Sequence, residues 1–205
     1  MQPKVRSDDL TFTEAARRKQ IVAAAIDTIA EVGYTKASFA KIAQRAGLSS
    51  PSLISYHFAD KDELIGQVVA EVCAAGGEVV RPHADPAASS SDTLRAYVEG
   101  SIAFYDTHRR HLRALMQILN GHPHARERWV NAANSAELDS IEQLLARGQR
   151  DGEFRSGFAP HAVAMILRDL LAGALLRLLG TPDLDVSAYT RELVALCLHS
   201  VEPVS

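Results

Sequence analysis

Cysteine is nearly missing from this chain, with two in 205 residues, Cys73 and Cys197. Both stand among apolar residues at helical spacing. They read as small hydrophobic residues in a reducing compartment, which excludes a disulfide framework and gives no sign of a nucleophile. Long apolar runs are missing too. The most apolar stretch, 162–179, carries Arg168, Asp169 and Arg177, so it does not read as a membrane span. The first residues are polar and charged with no apolar run behind them, so no secretory signal is expected and the chain reads as cytoplasmic. Strand-like alternation is also absent. Finally, there is no bulk surplus of positive charge: the net charge is −3 and the pI near 6.2, so overall composition does not advertise a nucleic-acid partner. With 47% hydrophobic and 23% charged residues, the chain has the make-up of a folded protein rather than a disordered one.

What is present is helical periodicity and an uneven distribution of charge. From Leu10 to Lys61 there are seven Lys or Arg against four acids, whereas from Gly66 onward there are 13 against 17. A mildly basic first part and an acidic remainder suggest two jobs in one chain. Ile21, Val22, Ala25, Ile26 and Ile29 recur on one helical face, and Gly33 stands where a C-cap glycine stops a helix. Ser38 can cap a short second helix whose apolar side is Phe39, Ile42, Ala43 and Ala46, ended by Gly47. Ser49, Ser50 and Pro51 read as the cap and first turn of a third helix. Asp60 with Glu63 three residues on is a capping box for a fourth, running to about Val80.

The segment 81–91, rich in Pro, Asp and Ser, reads as a loop, with Asp92 capping the next helix. Further helices are expected over about 92–107, 108–120, 125–150, 160–179 and 187–201. The fold class is therefore all-α, with about nine helices. The expected organisation is a flexible tail over 1–12, a helix-turn-helix unit over 13–60, a linking helix over 61–80 and a helical domain over 81–205.

Two short helices joined at a glycine turn form the unit that fits B-DNA, the second helix entering the major groove. Ile42, Ala43, Ala46, Leu48 and Ile54 would lock the pair. The outward face would present Ser49, Ser50, Ser52, Ser55, Tyr56 and His57 to bases and phosphates. Helix N-termini near Ser38, Ser50 and Lys61 offer amides for phosphates, and Lys41 is a flanking cation. On spacing alone this competes evenly with an ordinary helical hairpin, because the reading helix contains no Lys or Arg. His57 could equally hold that helix in place. The triplet Arg17-Arg18-Lys19 reads as a contact to flanking phosphates or as a solvated face, with Lys4 and Arg6 adding nonspecific attraction.

The run AAIDTIAEVGYTKASFAKIAQRAGLSSPSLISYHFADKDELI resembles the N-terminal domain of the tetracycline-repressor (TetR) family of bacterial regulators. Gly33-Tyr34, Ile42-Ala43, Ala46-Gly47, Ser49, His57-Phe58 and Lys61 before Leu64 carry the likeness over about residues 13–70. Two departures stand out: Ser55 occupies the usual tyrosine position with Tyr56 after it, and the span from Gly47 to Phe58 is one residue longer. The resemblance implies a three-helix DNA-binding head, a linking fourth helix, and a C-terminal domain that dimerises and holds an effector. It also implies Lys61, Tyr56 and His57 as DNA contacts.

In the C-terminal part, 162–179 is apolar nearly all round and must bury two faces. One can cover the chain's own core while the other takes a partner; a large monomer core is the alternative. Leu167, Leu171, Leu175, Leu178, Leu193 and Leu196 are the expected homodimer contacts. Tyr97, Phe104, Tyr105, Leu115, Met116, Leu119, Trp129 and Phe154 could line a cavity for a partly apolar small molecule. Phe104, Met116, Leu119, Trp129 and Met165 are the chosen effector residues. His108, His111, His122 and His124 near Asp106 lack a completing ligand, so neither metal nor cofactor is expected. The reading is a dimeric repressor of transcription, released from a palindromic site by its effector. A ligand-independent regulator or an activator remains open, as does an all-α enzyme. No nucleophile–base arrangement or phosphate loop supports the enzyme, and the acidic chain speaks against nonspecific DNA packaging.

Overall fold

The computed structural model describes residues 12–80 and 88–203. Among them are nine α-helices and no strand: α1 (Phe12–Val32), α2 (Phe39–Arg45), α3 (Ser52–His57), α4 (Lys61–Val80), α5 (Ser90–Thr107), α6 (Arg109–Gly121), α7 (Asn131–Arg150), α8 (Pro160–Gly180) and α9 (Val186–Val201). A π-helical turn, Arg126–Val130, precedes α7, where an α-helix from Ala125 was expected. The expected tail with Lys4 and Arg6, and most of the 81–91 loop, lie outside the described residues.

Two units emerge, residues 1–71 with 113–125, and 72–112 with 126–205. Residues 113–125, expected in the C-terminal domain, therefore pack within the first unit. In that unit Ile21, Ala25, Ile26 and Ile29 of α1 are buried with Ile42, Ile54, Phe58, Leu64 and Ile65. The two turn glycines are conformationally required: Gly33 has φ +83° and Gly47 φ +66°, a region that residues with a Cβ rarely adopt. Each stops the helix before it, as the spacing predicts.

The second unit builds its core from α5, α7, α8 and α9. Leu94, Val98 and Ile102 meet Ile141, Leu145, Leu167, Leu171, Leu178, Leu193 and Leu198. Here a local expectation needs correcting. Asp92 does not cap α5; Ser89 does, its hydroxyl accepting the Asp92 N–H at 2.9 Å. The Glu153 carboxylate, distant in sequence, takes the Ser90 and Ser91 N–H groups at 3.0 and 3.1 Å. Those amide bonds hold the Glu153 carboxyl below its ordinary range.

Cys197 is buried and its thiol is pushed up to about 11 by that burial, whereas Cys73 is exposed; both are free. No described helix is long and apolar enough to cross a membrane.

Candidate nucleic-acid interface

The head presents α3 by fixing it from behind. Ile54 and Phe58 are fully buried, while Ser52, Leu53, Ser55 and Tyr56 are exposed, Tyr56 by 74%. The four outward positions follow from helical geometry: with 3.6 residues per turn, burial of Ile54 and Phe58 turns residues 52, 53, 55 and 56 away.

Before α3 the chain makes a turn rather than a helix start. Ser49 and Ser50 lie in it, and the Ser50 hydroxyl accepts the Ser52 N–H at 3.1 Å while meeting the Ser52 hydroxyl at 2.7 Å. Of the serines expected at the interface, Ser52 and Ser55 are helical. Ser38 caps α2, its hydroxyl accepting the Lys41 N–H at 3.4 Å, and the Lys41 side chain is exposed.

Arg18 corrects an expectation. Read in the triplet as a phosphate contact or a solvated cation, it turns inward and serves the end of α3. Its guanidinium donates to the His57 carbonyl, lies 4.1 Å from the centre of the Phe58 ring, and reaches the Glu63 carboxylate at 3.0 Å. Asp60 and Glu63 cap α4 as expected, except that the Glu63 carboxylate reaches back to Ala59 rather than to Asp60. The Glu63 N–H goes to Asp60 at 2.8 Å, and the carboxylate accepts the Ala59 N–H at 2.7 Å. That amide bond first, then Arg18, holds the Glu63 carboxyl below its ordinary 4.5. Arg17 and Lys19 stay exposed, Arg17 bonded to Gln20. Gln20 in turn donates to the Ala46 carbonyl at 2.6 Å, and Arg45 pairs with Glu31, so α1 holds the C-terminal end of α2 at the turn of the hairpin.

Lys61 is half-buried. Its ammonium donates to the Tyr34 carbonyl at 3.0 Å and sits 4.2 Å over the Tyr34 ring, and burial pulls its pKa down. An ammonium has three donors, so this tie to the α1–α2 turn is compatible with a phosphate contact. His57 is half-buried, its ring edge-on to Tyr56 at 5.1 Å. His122, one of the four histidines weighed as ligands, is buried in the same unit. It lies 3.3 Å from the Asp62 carboxylate, and its Nδ1 accepts the His124 N–H at 3.1 Å.

Of the expected effector residues, Met116 and Leu119 fall in the first unit and Phe104, Trp129 and Met165 in the second. Phe104 is core, against the His108 ring at 4.7 Å, and Met165 is 49% exposed on the outer side of α8. Met116 and Leu119 are half-buried in the first unit, and Trp129 is half-buried with Arg128 5.0 Å over its ring. Sequence reasoning missed a polar cluster in the second unit, because its members come from three helices, α5, α7 and α8, about 30 to 70 residues apart. The Tyr97 hydroxyl donates to Glu137 at 2.8 Å, and Arg168 reaches Glu137 at 3.4 Å. Burial, then Glu137, pushes Tyr97 far up and Tyr105 up to about 12.

The expected dimer residues also need correction. Leu167, Leu171, Leu178 and Leu193 are buried in the chain's own core and Leu175 is half-buried; Leu196 alone of the six is exposed. The exposed apolar side of α8 and α9 is Met165, Ile166, Leu176 and Leu196 instead. Beside it, Ile166, Asp169, Leu170, Gly173, Arg177 and Tyr189 line an open groove of about 470 Å³.

Residues 21–68 match the family model of the bacterial regulatory proteins of the tetR family. Among curated proteins, the chain is 38% identical over 89 residues to the HTH-type transcriptional regulator BetI of Stenotrophomonas maltophilia, covering 43% of this chain and 45% of that protein. It is 26% identical over 203 residues to BetI of Cronobacter sakazakii, covering 91% and 95%. Most of the first curated relatives are thus matched over less than half their length. Among solved structures, the MbdR regulator from Azoarcus sp. CIB superposes with a TM-score of 0.78 at 22% identity, covering 92% of this chain and all of that one. The fatty acid degradation regulator FadR from Bacillus halodurans superposes at 0.77 with 19% identity, covering 95% and 97%. At these identities the structural matches speak for the fold.

Proposed function

We propose that the chain, whose residues 21–68 match the tetR family of bacterial regulatory proteins, is a member of that family and a sequence-specific DNA-binding repressor acting as a homodimer in the bacterial cytoplasm. The observation that carries the reading is the head. Its α3 is locked from behind by Ile54, Phe58 and Arg18 and shows Ser52, Ser55 and Tyr56 outward, with Lys41 on the neighbouring helix. A helix so presented has the size and attitude to lie in a major groove, where phosphate contacts set its register and base edges set its preference.

Dimerisation is proposed through Ile166, Leu176 and Leu196, exposed large apolar residues on α8 and α9, the last two helices of a chain whose other large apolar residues are mostly buried or half-buried. Two heads related by a two-fold axis read half-sites about one helical turn apart, or a multiple of it. The effector is proposed to be a small molecule with an apolar body and a polar group. Tyr97, Glu137 and Arg168, a half-exposed cluster on α5, α7 and α8, supply hydrogen-bonding and charged partners for such a group. Its binding would change DNA affinity by favouring one arrangement of the dimer.

Selection of bound duplexes from a random DNA pool with the full chain tests this reading. The expected result is enrichment of one two-fold symmetric sequence. Enrichment of nothing, or of a sequence without symmetry, would overturn it.

A further inference from the structure

We propose that Leu53 and Tyr56 form an apolar reading face on α3 that recognises thymine 5-methyl groups, so that operator choice rests on thymines rather than on guanines. The inference deepens the proposed function and rests on α3 entering the major groove.

The side chains of α3 are Ser52, Leu53, Ile54, Ser55, Tyr56 and His57. None is Arg, Lys, Asn or Gln, the residues that read guanine or adenine with two hydrogen bonds at once. Serine hydroxyls bond donors and acceptors alike and discriminate weakly. The remaining feature of a base pair that an α3 side chain can recognise is the thymine methyl, the one apolar group in the major groove.

Two outward side chains match it. Leu53 is 39% exposed and Tyr56 74%, and three residues apart on a helix they are neighbours on one face. Of the other large apolar side chains of α1 to α3, Ile21, Val22, Ile26, Ile29, Ile42 and Ile54 are buried, while Val32 and Phe39 are half-buried. Leu53 and Tyr56 are the large hydrophobic groups of the first unit that stay well exposed among the described residues; the remaining ones lie on α8 and α9. The Tyr56 ring is steadied edge-on by His57 at 5.1 Å, and the backbone beneath Leu53 is held by the Leu53 N–H to the Ser50 carbonyl at 3.2 Å. Both side chains are therefore carried on a fixed backbone, which a contact worth one methyl group requires. Sequence reading passed over Leu53 because an apolar residue beside Ile54 looks like core.

The experiment uses the full chain and the operator selected above. Each thymine of a half-site is replaced singly by deoxyuridine, which removes the methyl and leaves every hydrogen-bonding edge intact, and affinity is read by fluorescence anisotropy. The expected result is a loss of about fourfold per lost methyl contact at one or two positions, with tolerance elsewhere. Leu53→Ala should bind thymine and deoxyuridine equally at one of those positions, and Tyr56→Ala at the other. Tolerance of deoxyuridine at every position by the unaltered chain would overturn the inference while leaving DNA binding intact. So would an undiminished penalty in both variants. Failure to enrich any operator would instead overturn the reading beneath it. The deoxyuridine series needs no variant, so the test stands even if one misfolds.

Discussion

Arg18, Glu63 and Lys61 illustrate how much of a DNA-binding head is spent on holding its own parts. A guanidinium that reaches a carbonyl, a ring and a carboxylate at once fixes the end of α3 relative to α1 and α4. Its direction was not legible in the sequence, because three consecutive cations point three ways around a helix and nothing local says which turns inward. Gly33, Gly47 and the Asp60–Glu63 capping pair were legible, because each satisfies a backbone need within four residues. The Glu63 carboxyl has a consequence in acid. The folded state lowers its pKa below 4.5, so it prefers the carboxylate; its stabilisation is present above that ordinary value and is lost as pH falls through the lowered folded value. Thermal unfolding followed from neutral pH down to about pH 3 should therefore show a shallower acid loss in Glu63→Gln than in the unaltered chain. Equal acid slopes would mean that Glu63 contributes nothing to the pH dependence.

At the scale of elements, α8 is the instructive case. Apolar almost all round, it announces two buried faces but not which one meets the chain's own core, since positions 167, 171 and 178 suit either. The structure assigns that row to the core and leaves Ile166 and Leu176 outside. The cap of α5 is local, the Ser89 hydroxyl taking the Asp92 N–H, but the carboxylate that takes the Ser90 and Ser91 amides comes from Glu153, in a loop more than 60 residues away that no local rule anticipates. The π turn Arg126–Val130 is a rare single turn that helical periodicity does not distinguish from the α-helix expected there. The assignment of the two faces of α8 and α9 makes unlike substitutions separable. Leu171→Glu places an unpaired carboxylate in the core and should cost about 4 kcal/mol or more, enough to unfold many domains. Leu196→Glu, on the exposed side, should leave the thermal transition within about 0.5 kcal/mol of the unaltered monomer's stability and produce a monomer in sedimentation. A dimeric Leu196→Glu protein would place the interface elsewhere.

The whole molecule divides its labour in a way its composition hides. A chain of net charge −3 can bind DNA because the contacts are local: exposed Lys41 and Lys19 lie on helices beside α3, and α3 itself brings shape and weak polar contacts. Attraction to phosphate then comes from outside the reading helix, and preference from the apolar Leu53 and Tyr56 contacts within it. The most direct test is the affinity and stoichiometry of the full chain on its selected operator and on a scrambled duplex of equal length at physiological salt. The account predicts two chains per operator and binding on the order of a thousandfold or more tighter than to the scrambled duplex. Equal affinity for the two duplexes would contradict it.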